Sequence, residues 1–303
     1  MSMLNWLKVP RTLNSKTSAG KGSSSEHSMD KALQPVHSRC QHDQHAYQQH
    51  HYQQHGYLVL PQLLNPLQIS QLHQSVEPIY TKWLEQNQPN PGFDQRVNMH
   101  SLTLPKYFAG QPEQRLAFFQ QLSCKVLVDT LKAVFGEELY FHNTQLFFNP
   151  ADPQKHNYWH RDLQYSPIPE VQQQQAHAEL TSLHVRIPLR DETGIELIPR
   201  SHQQWDSDLE SKVRFAKDGY QQHDDLPHSQ LISLKQGDVL VFNAQMIHRG
   251  RYDFNAERLA LDLCIGTPHP LIQGFRDSAV QPTMDELAQI KNREWFMEAK
   301  KLE

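Results

Sequence analysis

The segment Arg258-Leu259-Ala260-Leu261-Asp262-Leu263-Cys264-Ile265 alternates strictly between aliphatic side chains and small or polar ones. A period of two is the pattern of a β-strand whose two faces meet different surroundings. The segment Thr181 to Leu189 repeats the pattern, with aliphatic residues on one face and Ser182, His184 and Arg186 on the other. Such strands predict sheets that pack against helices on the outside and enclose a polar cavity between them.

Other stretches supply the rest of the predicted architecture. Short apolar runs bounded by turn residues predict further strands at residues 55–60, 140–148, 231–234 and 238–244. Apolar residues at three- and four-residue spacing predict helices at residues 66–83, from about 113 to 135, and from 283 to about 301. The predicted fold class is mostly β with flanking helices, around a double-stranded β-helix core (a cupin-like jelly roll).

Composition narrows the class of protein. At 303 residues, 38% of them hydrophobic, the chain is long enough to bury a sizeable core. A net charge of −4 gives no reason to expect nucleic acid or a membrane surface as a partner. Cys40, Cys124 and Cys264 are odd in number and form no CxxC pair, which favours a reducing compartment. No apolar run fits a signal peptide or a membrane span, so a cytoplasmic location is predicted.

The first part of the chain is predicted as a tail. Residues 1–46 are interpreted as disordered, because Ser15 to Asp30 is rich in Ser, Lys and Gly and has little apolar surface to bury. A His/Gln-rich tract follows, in which Tyr47-Gln48-Gln49-His50 is nearly repeated as Tyr52-Gln53-Gln54-His55. A solvated low-complexity segment is favoured over an accessory metal-binding tract. Residues 47–303 are predicted as a single domain with a C-terminal helix.

A histidine and an aspartate lie two positions apart in Tyr158-Trp159-His160-Arg161-Asp162, after a predicted strand and loop. A second imidazole, His248, follows the predicted strand Gly237-Asp238-Val239-Leu240-Val241-Phe242. Two histidines and one carboxylate form the ligand set that leaves positions open on non-haem Fe(II) for a cosubstrate and O₂. The spacing alone is weak evidence, because it recurs at His223-Asp224-Asp225, which lies in a polar loop and is interpreted as surface.

Arg258 is the candidate for holding that cosubstrate. Residues 249–257 are predicted as a hairpin loop, so that His248 and Arg258 begin on neighbouring strands. A guanidinium binds a carboxylate through two parallel hydrogen bonds, so Arg258 is predicted to hold the distal carboxylate of a 2-oxo acid on the metal. The alternative is that Arg258 pairs with Asp262 or with a surface acid.

Four stretches together resemble one known family. They are residues 52–60, Trp159-His160-Arg161-Asp162, residues 194–202, and the strand from Gly237 that runs on to His248 and Arg258. Over roughly residues 52–268 the chain is similar to the phytanoyl-CoA dioxygenase family of Fe(II)/2-oxoglutarate-dependent oxygenases. The resemblance implies that the metal is iron, held by His160, Asp162 and His248. It implies 2-oxoglutarate as the ligand of Arg258, and a polar residue on the preceding strand, for which Asn143 is the candidate.

Some positions depart from the family pattern. Arg161 stands where a glutamine is common, and Gly250 where a serine or threonine often helps to bind 2-oxoglutarate. The Pro-Gly-Ser-His loop appears as Pro199-Arg200-Ser201-His202, in which His202 is interpreted as structural. Members that halogenate replace the carboxylate ligand by a small residue. Because Asp162 is present, hydroxylation is the predicted reaction.

The resulting expectation is a hydroxylase that uses Fe(II), 2-oxoglutarate and O₂ on a small organic substrate. Candidate residues for the substrate pocket lie mostly on polar strand faces and are Gln145, Arg161, Tyr165, His184 and Arg186. The basic residues Arg161 and Arg186 favour an anionic substrate, although His184 and Arg186 can equally face solvent. Two alternatives stay open: a ligand-binding or sensing protein that does not turn over, and a cupin-type metalloenzyme that does not use 2-oxoglutarate.

Overall fold

Two antiparallel sheets form the centre of the molecule in the computed structural model, which describes residues 36–254 and 257–303. The strands are β1 Tyr57–Leu60, β2 Asn98–His100, β3 Tyr140–Phe148, β4 Ser182–Pro188, β5 Glu192–Leu197, β6 Gln230–Leu234, β7 Val239–Asn243, β8 His248–Gly250 and β9 Leu259–Gly266. Within the described residues, one sheet has six strands in the order β1-β7-β4-β9-β3-β2, and the other has three in the order β6-β5-β8. This arrangement of antiparallel sheets with flanking helices is the predicted jelly roll.

The aliphatic faces of β4 and β9 build the main core. Val185, Leu261 and Leu263 are fully buried there against residues of the flanking helices. Each such side chain contributes about 1.5–3 kcal/mol through burial. The opposite faces of the two strands carry His184, Asp262 and other polar groups towards the second sheet, as the alternation predicts.

The helices are α1 Val36–His55, α2 Pro66–Asn87, α3 Pro112–Leu122, α4 Lys125–Phe135, α5 Glu170–Ala176, α6 Asp208–Arg214, α7 Met284–Gln289 and α8 Glu294–Lys301. The single helix predicted up to residue 135 is two helices. The Ser123 hydroxyl donates to the Phe119 carbonyl (2.9 Å), and the Ser123 carbonyl accepts from Asn292 (3.0 Å) instead of continuing the helix. The predicted C-terminal helix is likewise divided, because Ile290 is extended (φ −73°, ψ 126°).

Helix α1 crosses the predicted boundary between tail and domain. Residues 1–35 lie outside the described part of the chain, but residues 36–46, predicted as disordered, are helical. Glutamine is a favourable helix former, and Tyr52 anchors the last turns by packing edge-on against Phe135 (ring centroids 4.6 Å apart). In the described ranges, no helix has both the length and the apolar character needed to cross a membrane.

The connection from β8 to β9 differs from the predicted hairpin. Strand β8 pairs with β5 in the three-stranded sheet, whereas β9 pairs with β3 and β4 in the six-stranded sheet. The chain therefore passes from one sheet to the other, as jelly-roll connections do. His248 consequently lies on one sheet, Arg258 lies directly before a strand of the other, and both line the cavity between the sheets.

Candidate metal centre

A pair of backbone hydrogen bonds brings the first and last predicted ligands together. The amide of His160 donates to the carbonyl of His248, and the amide of His248 donates to the carbonyl of His160, both at 3.0 Å. The amide of Asp162 donates to the carbonyl of Ala244 (3.1 Å) as the chain enters a short 3₁₀ turn at Asp162–Tyr165. The backbone thus fixes all three predicted ligands beside the loop that follows β7.

The side chains of these residues converge. Oδ1 of Asp162 lies 3.7 Å from Nε2 of His160 and 3.5 Å from Nε2 of His248. One donor atom from each residue lies within 4.8 Å of the others, and no other such group of three occurs among the described residues. Nδ1 of His160 faces the Tyr158 carbonyl (3.2 Å) and Nδ1 of His248 faces the Met246 carbonyl (3.0 Å). These carbonyls hold each imidazole so that Nε2 presents its lone pair, which is what a metal requires.

The protonation states also suit a metal. Burial lowers the pKa of His160 and, helped by His160, lowers the pKa of His248 to about 3. Both rings are therefore neutral at ordinary pH. Burial alone would raise the pKa of Asp162, but the neighbouring His184, His248 and His160 hold it below its usual range. The three residues fit a divalent cation with two imidazoles and one carboxylate.

His184 fixes the carboxylate ligand. Its Nε2 lies 2.7 Å from Oδ2 of Asp162, and its Nδ1 lies 3.0 Å from Oδ2 of Asp262. Oδ2 of Asp162 is thereby occupied, which leaves Oδ1 to face the two ligand histidines. Although His184 lines the cavity as predicted, both of its nitrogens are already bound by carboxylates.

A cavity of about 400 Å³ opens beside the three ligands. Of the residues predicted for substrate or cosubstrate, it is lined by Gln145, Tyr165, His184 and Arg258. A second cavity of about 290 Å³ adjoins the first, and the two share Gln145, Asp162, Tyr165 and His184. The predicted metal site therefore lies at the junction of two spaces.

Arg258 lies at the wall of the first cavity and is 4% exposed. Its Nε donates to Oε2 of Glu192 (3.1 Å), so its acidic partner is neither Asp262 nor a surface acid. The guanidinium lies over the ring of Phe147, 5.6 Å from its centroid, and against the backbone of Gly250. Among the described residues, Nη1 and Nη2 have no hydrogen-bond partner. The planar donor edge is thus available for a carboxylate.

Three predicted residues do not line either cavity. Asn143 donates to Oγ of Ser101 (3.0 Å) next to a β-bulge in β3. Arg161 is fully buried and faces the loop at residues 201–206, where it pairs with Asp206 (2.8 Å). Arg186 is fully buried between Glu192 and Asp262. The two arginines are held by protein acids, so they give no support to an anionic substrate.

His177, whose Nε2 lies 3.2 Å from Nη1 of Arg161, gives the stability of the fold a predicted pH dependence. His177 is 3% exposed, with Nε2 2.8 Å from the Ser201 carbonyl oxygen. Burial and the Arg161 guanidinium lower the pKa of His177 from 6.5 to about 4. The folded state disfavours the protonated ring, so this stability is present above about pH 6.5 and is lost as the pH falls towards 4. The shift corresponds to about 3 kcal/mol at most.

Urea midpoints at about pH 7 and about pH 4.5 measure this effect. Glutamine at position 177 does not titrate, so His177→Gln should lose less stability on acidification than the wild type. An equal loss in the two proteins would contradict the assignment.

Sequence reasoning missed some residues of the site. Tyr158 and Tyr252 line the first cavity, and Glu192 lies behind Arg258 on β5. Asp262 was visible on the inward face of β9, but its partners on other strands were not. The sequence did contain one indication of Tyr158, because this residue lies two positions before the predicted ligand His160.

Comparisons with known proteins bear on the family and the fold of the chain. The model of the phytanoyl-CoA dioxygenase (PhyH) family matches residues 52–253, and no curated protein matches the chain. Among solved structures, AviO1 from Streptomyces viridochromogenes Tue57 is 18% identical, with a TM-score of 0.51 over 74% of this chain and 95% of that one.

Two further solved structures have the same fold, with similar sequence identities and TM-scores. HygX from Streptomyces hygroscopicus, with nickel and 2-oxoglutarate bound, is 15% identical, with a TM-score of 0.51 over 73% of this chain and 86% of that one. EctD from S. alaskensis in its apoform is 16% identical, with a TM-score of 0.51 over 73% of this chain and 76% of that one. With the family match covering most of the jelly roll and the three ligands, the chain belongs to the phytanoyl-CoA dioxygenase family of Fe(II)/2-oxoglutarate-dependent oxygenases.

Proposed function

We propose that this protein is a hydroxylase that couples oxidative decarboxylation of 2-oxoglutarate to hydroxylation of a small organic substrate. The observation that supports the proposal most is the convergence of His160, Asp162 and His248 in a cavity that also exposes the donor edge of Arg258. The retained carboxylate of Asp162 favours hydroxylation over halogenation.

The residues have separate tasks in this proposal. His160, Asp162 and His248 would hold Fe(II), a ligand set that leaves room on the metal for a cosubstrate and O₂. When bound, the iron supplies the activation of O₂ and the oxidation of the substrate. Arg258 binds the distal carboxylate of 2-oxoglutarate, and the buried jelly-roll interior excludes water from the site. The nickel and 2-oxoglutarate in the HygX structure show that this fold accommodates such a pair.

Gly250 suits this arrangement because it lets Arg258 lie close to the backbone. A Cβ at this position would lie 2.8 Å from Nη1 of Arg258. In Gly250→Ala the guanidinium must shift from this position, and a side chain displaced from its preferred torsion angles costs about 1 kcal/mol. We therefore expect the Kd for 2-oxoglutarate to rise about fivefold. Calorimetry on metal-loaded protein measures this, and an unchanged or lower Kd would contradict the placement of the cosubstrate.

The substrate is proposed to lie where the two cavities meet. Gln145 and Tyr165 line both spaces and are the sequence-predicted residues available to contact it. The combined size of these spaces fits a small molecule beside the cosubstrate. A cytoplasmic location remains part of the proposal.

The proposal is tested by a screen for compounds that stimulate CO₂ release from 2-oxoglutarate by the iron-loaded protein. We expect at least one compound to do so, with succinate and a hydroxylated product formed in equal amounts. If the protein binds iron and 2-oxoglutarate but turns over 2-oxoglutarate neither alone nor with any compound of the screen, a sensing protein is favoured instead. Oxidation of a substrate at the same rate without 2-oxoglutarate would favour a cupin-type enzyme.

A further inference from the structure

A continuous row of charged groups connects the proposed cosubstrate residue to the metal ligands, and every member except the ligand Asp162 is buried. We call this row the ion chain, and it consists of Asp162, His184, Asp262, Arg186, Glu192 and Arg258. Each member is hydrogen-bonded to the next, and acidic and basic side chains alternate along it. The row begins at Asp162, runs along the polar faces of β4 and β9, passes through Glu192 on β5 and ends at Arg258, directly before β9.

The half of the ion chain near Arg258 is closely bound. Nη2 of Arg186 donates to Oε2 of Glu192 (3.0 Å), and Nε of Arg186 donates to Oε1 (2.5 Å). Oε2 of Glu192 also accepts from Nε of Arg258 (3.1 Å). One carboxylate therefore holds two guanidinium groups side by side. Such paired charged hydrogen bonds fix orientation as well as adding energy.

Arg186 itself is anchored at its other side. Its Nη1 donates to Oδ1 of Asp262 (2.9 Å), while Oδ2 of the same carboxylate lies 3.0 Å from Nδ1 of His184. Asp262 thereby relates the position of Arg186 to His184, which holds the ligand Asp162. The contacts between Arg258 and the ligand Asp162 therefore pass through Glu192 on β5 and then through groups on β4 and β9 of the larger sheet.

Burial shows that these contacts are not a solvated surface pair. The side chains of Arg186, Glu192 and Asp262 are each at most 1% exposed. Burial would raise the pKa of Glu192, but Arg186 and Arg258 lower it to about 2, so the group is a carboxylate throughout the ordinary pH range. Arg186 lines neither cavity and contacts none of the three metal ligands. Any effect of Arg186 on ligand binding must therefore pass through its neighbours.

We propose that Arg186 and Glu192 are positioning residues for the cosubstrate, which hold Arg258 at a fixed place relative to the metal ligands. This inference rests on the proposed function, because it assumes that Arg258 binds the distal carboxylate of 2-oxoglutarate. Outer partners of metal ligands typically change metal affinity or activity about 10–100-fold when they are replaced, and we expect a similar effect from outer partners of Arg258.

The test uses two variants that preserve charge. Arg186→Lys keeps the cation but loses the planar fork that binds Glu192 and Asp262 together. Glu192→Asp keeps the anion but is one methylene too short to reach both arginines in the same way. Because the net charge of the site is unchanged, altered binding reports on geometry rather than on the electrostatic field.

The matched control is Arg115→Lys. Arg115 is also buried (5% exposed) and pairs with Glu286 (2.6 Å), but it joins α3 to α7 and lines neither cavity. The thermal midpoint of each variant reports how far the fold itself is weakened.

The readout is a ratio of two affinities measured by calorimetry on the full chain loaded with Ni(II). One ligand is 2-oxoglutarate, and the other is 2-oxopentanoate, which has a methyl group in place of the distal carboxylate. We expect Arg186→Lys and Glu192→Asp each to raise the Kd for 2-oxoglutarate about tenfold or more, with the Kd for 2-oxopentanoate unchanged. Arg115→Lys should leave both values unchanged.

Three results would overturn parts of the account. If a folded Arg186→Lys or Glu192→Asp protein has the same ratio of the two Kd values as the wild type, the positioning role is overturned. If Arg186→Lys does not fold, the result for Glu192→Asp alone is used. An equal loss of affinity for both ligands would show general damage to the site and would also overturn it. Failure of the wild type to bind 2-oxoglutarate would instead overturn the proposed function.

Discussion

Replacing His248 by alanine should abolish iron binding and all turnover of 2-oxoglutarate. The loss should exceed the about 10–100-fold that an outer partner of a metal ligand typically contributes. His248 supplies one of three converging donor atoms, and its Nε2 lies 3.5 Å from the Oδ1 of Asp162 with no described side chain placed to substitute for it. Iron content after loading and dialysis, together with succinate formation, measures the effect.

The second His-x-Asp sequence supplies the control for this experiment. His223 is exposed and stacks on His156 (ring centroids 4.3 Å apart), and it belongs to no group of three metal-binding side chains in the described part of the chain. His223→Ala should bind iron and turn over as the wild type does. Retained iron and activity in His248→Ala would show that the assigned triad is wrong.

Arg258→Ala should retain iron but lose most of its affinity for 2-oxoglutarate. Removing one partner of a buried, hydrogen-bonded charge pair costs about 2–5 kcal/mol. At about 1.4 kcal/mol for each factor of ten, the Kd should rise roughly 30-fold to a few thousand-fold. Calorimetric titration of the metal-loaded variant measures this change.

Arg258→Lys refines the prediction, because lysine keeps the charge but lacks two parallel donors. Its affinity should lie between those of the wild type and Arg258→Ala. A normal Kd in Arg258→Ala would mean that the distal carboxylate binds elsewhere, and a cupin-type enzyme without 2-oxoglutarate would then be the better interpretation.

The two central strands were predictable because their alternation is regular. Aliphatic residues of β4 and β9 occupy the core, and their polar neighbours face the cavity, so the period of two specified both faces. The helix ends next to Ser123 and Ile290 were not predictable from the spacing of apolar residues in the sequence. The first depends on a contact with Asn292, which is distant in the sequence.

The convergence of His160, Asp162 and His248 was predictable because the first two follow a strand and a loop and the third follows a strand. The roles of Arg161 and Arg186 could not be found in this way. Periodicity places a side chain on an inward face but does not say whether a ligand or a buried acid will meet it. In the structure Asp206 binds Arg161 and Glu192 binds Arg186, and both are contacts that the spacing of residues in the sequence does not reveal. The same limit hid the crossing from β8 to β9, which depends on the pairing of β8 with β5.

Anaerobic addition of 2-oxoglutarate to the Fe(II)-loaded protein tests the central claim most directly. A 2-oxo acid that binds Fe(II) through its 2-oxo oxygen and its adjacent carboxylate would give a charge-transfer absorption in the visible range. The account predicts that the wild type binds one Fe(II) per chain, that the absorption saturates at one 2-oxoglutarate per iron, and that His248→Ala shows none. Iron bound by the wild type without this absorption, or the same absorption in His248→Ala, would contradict it.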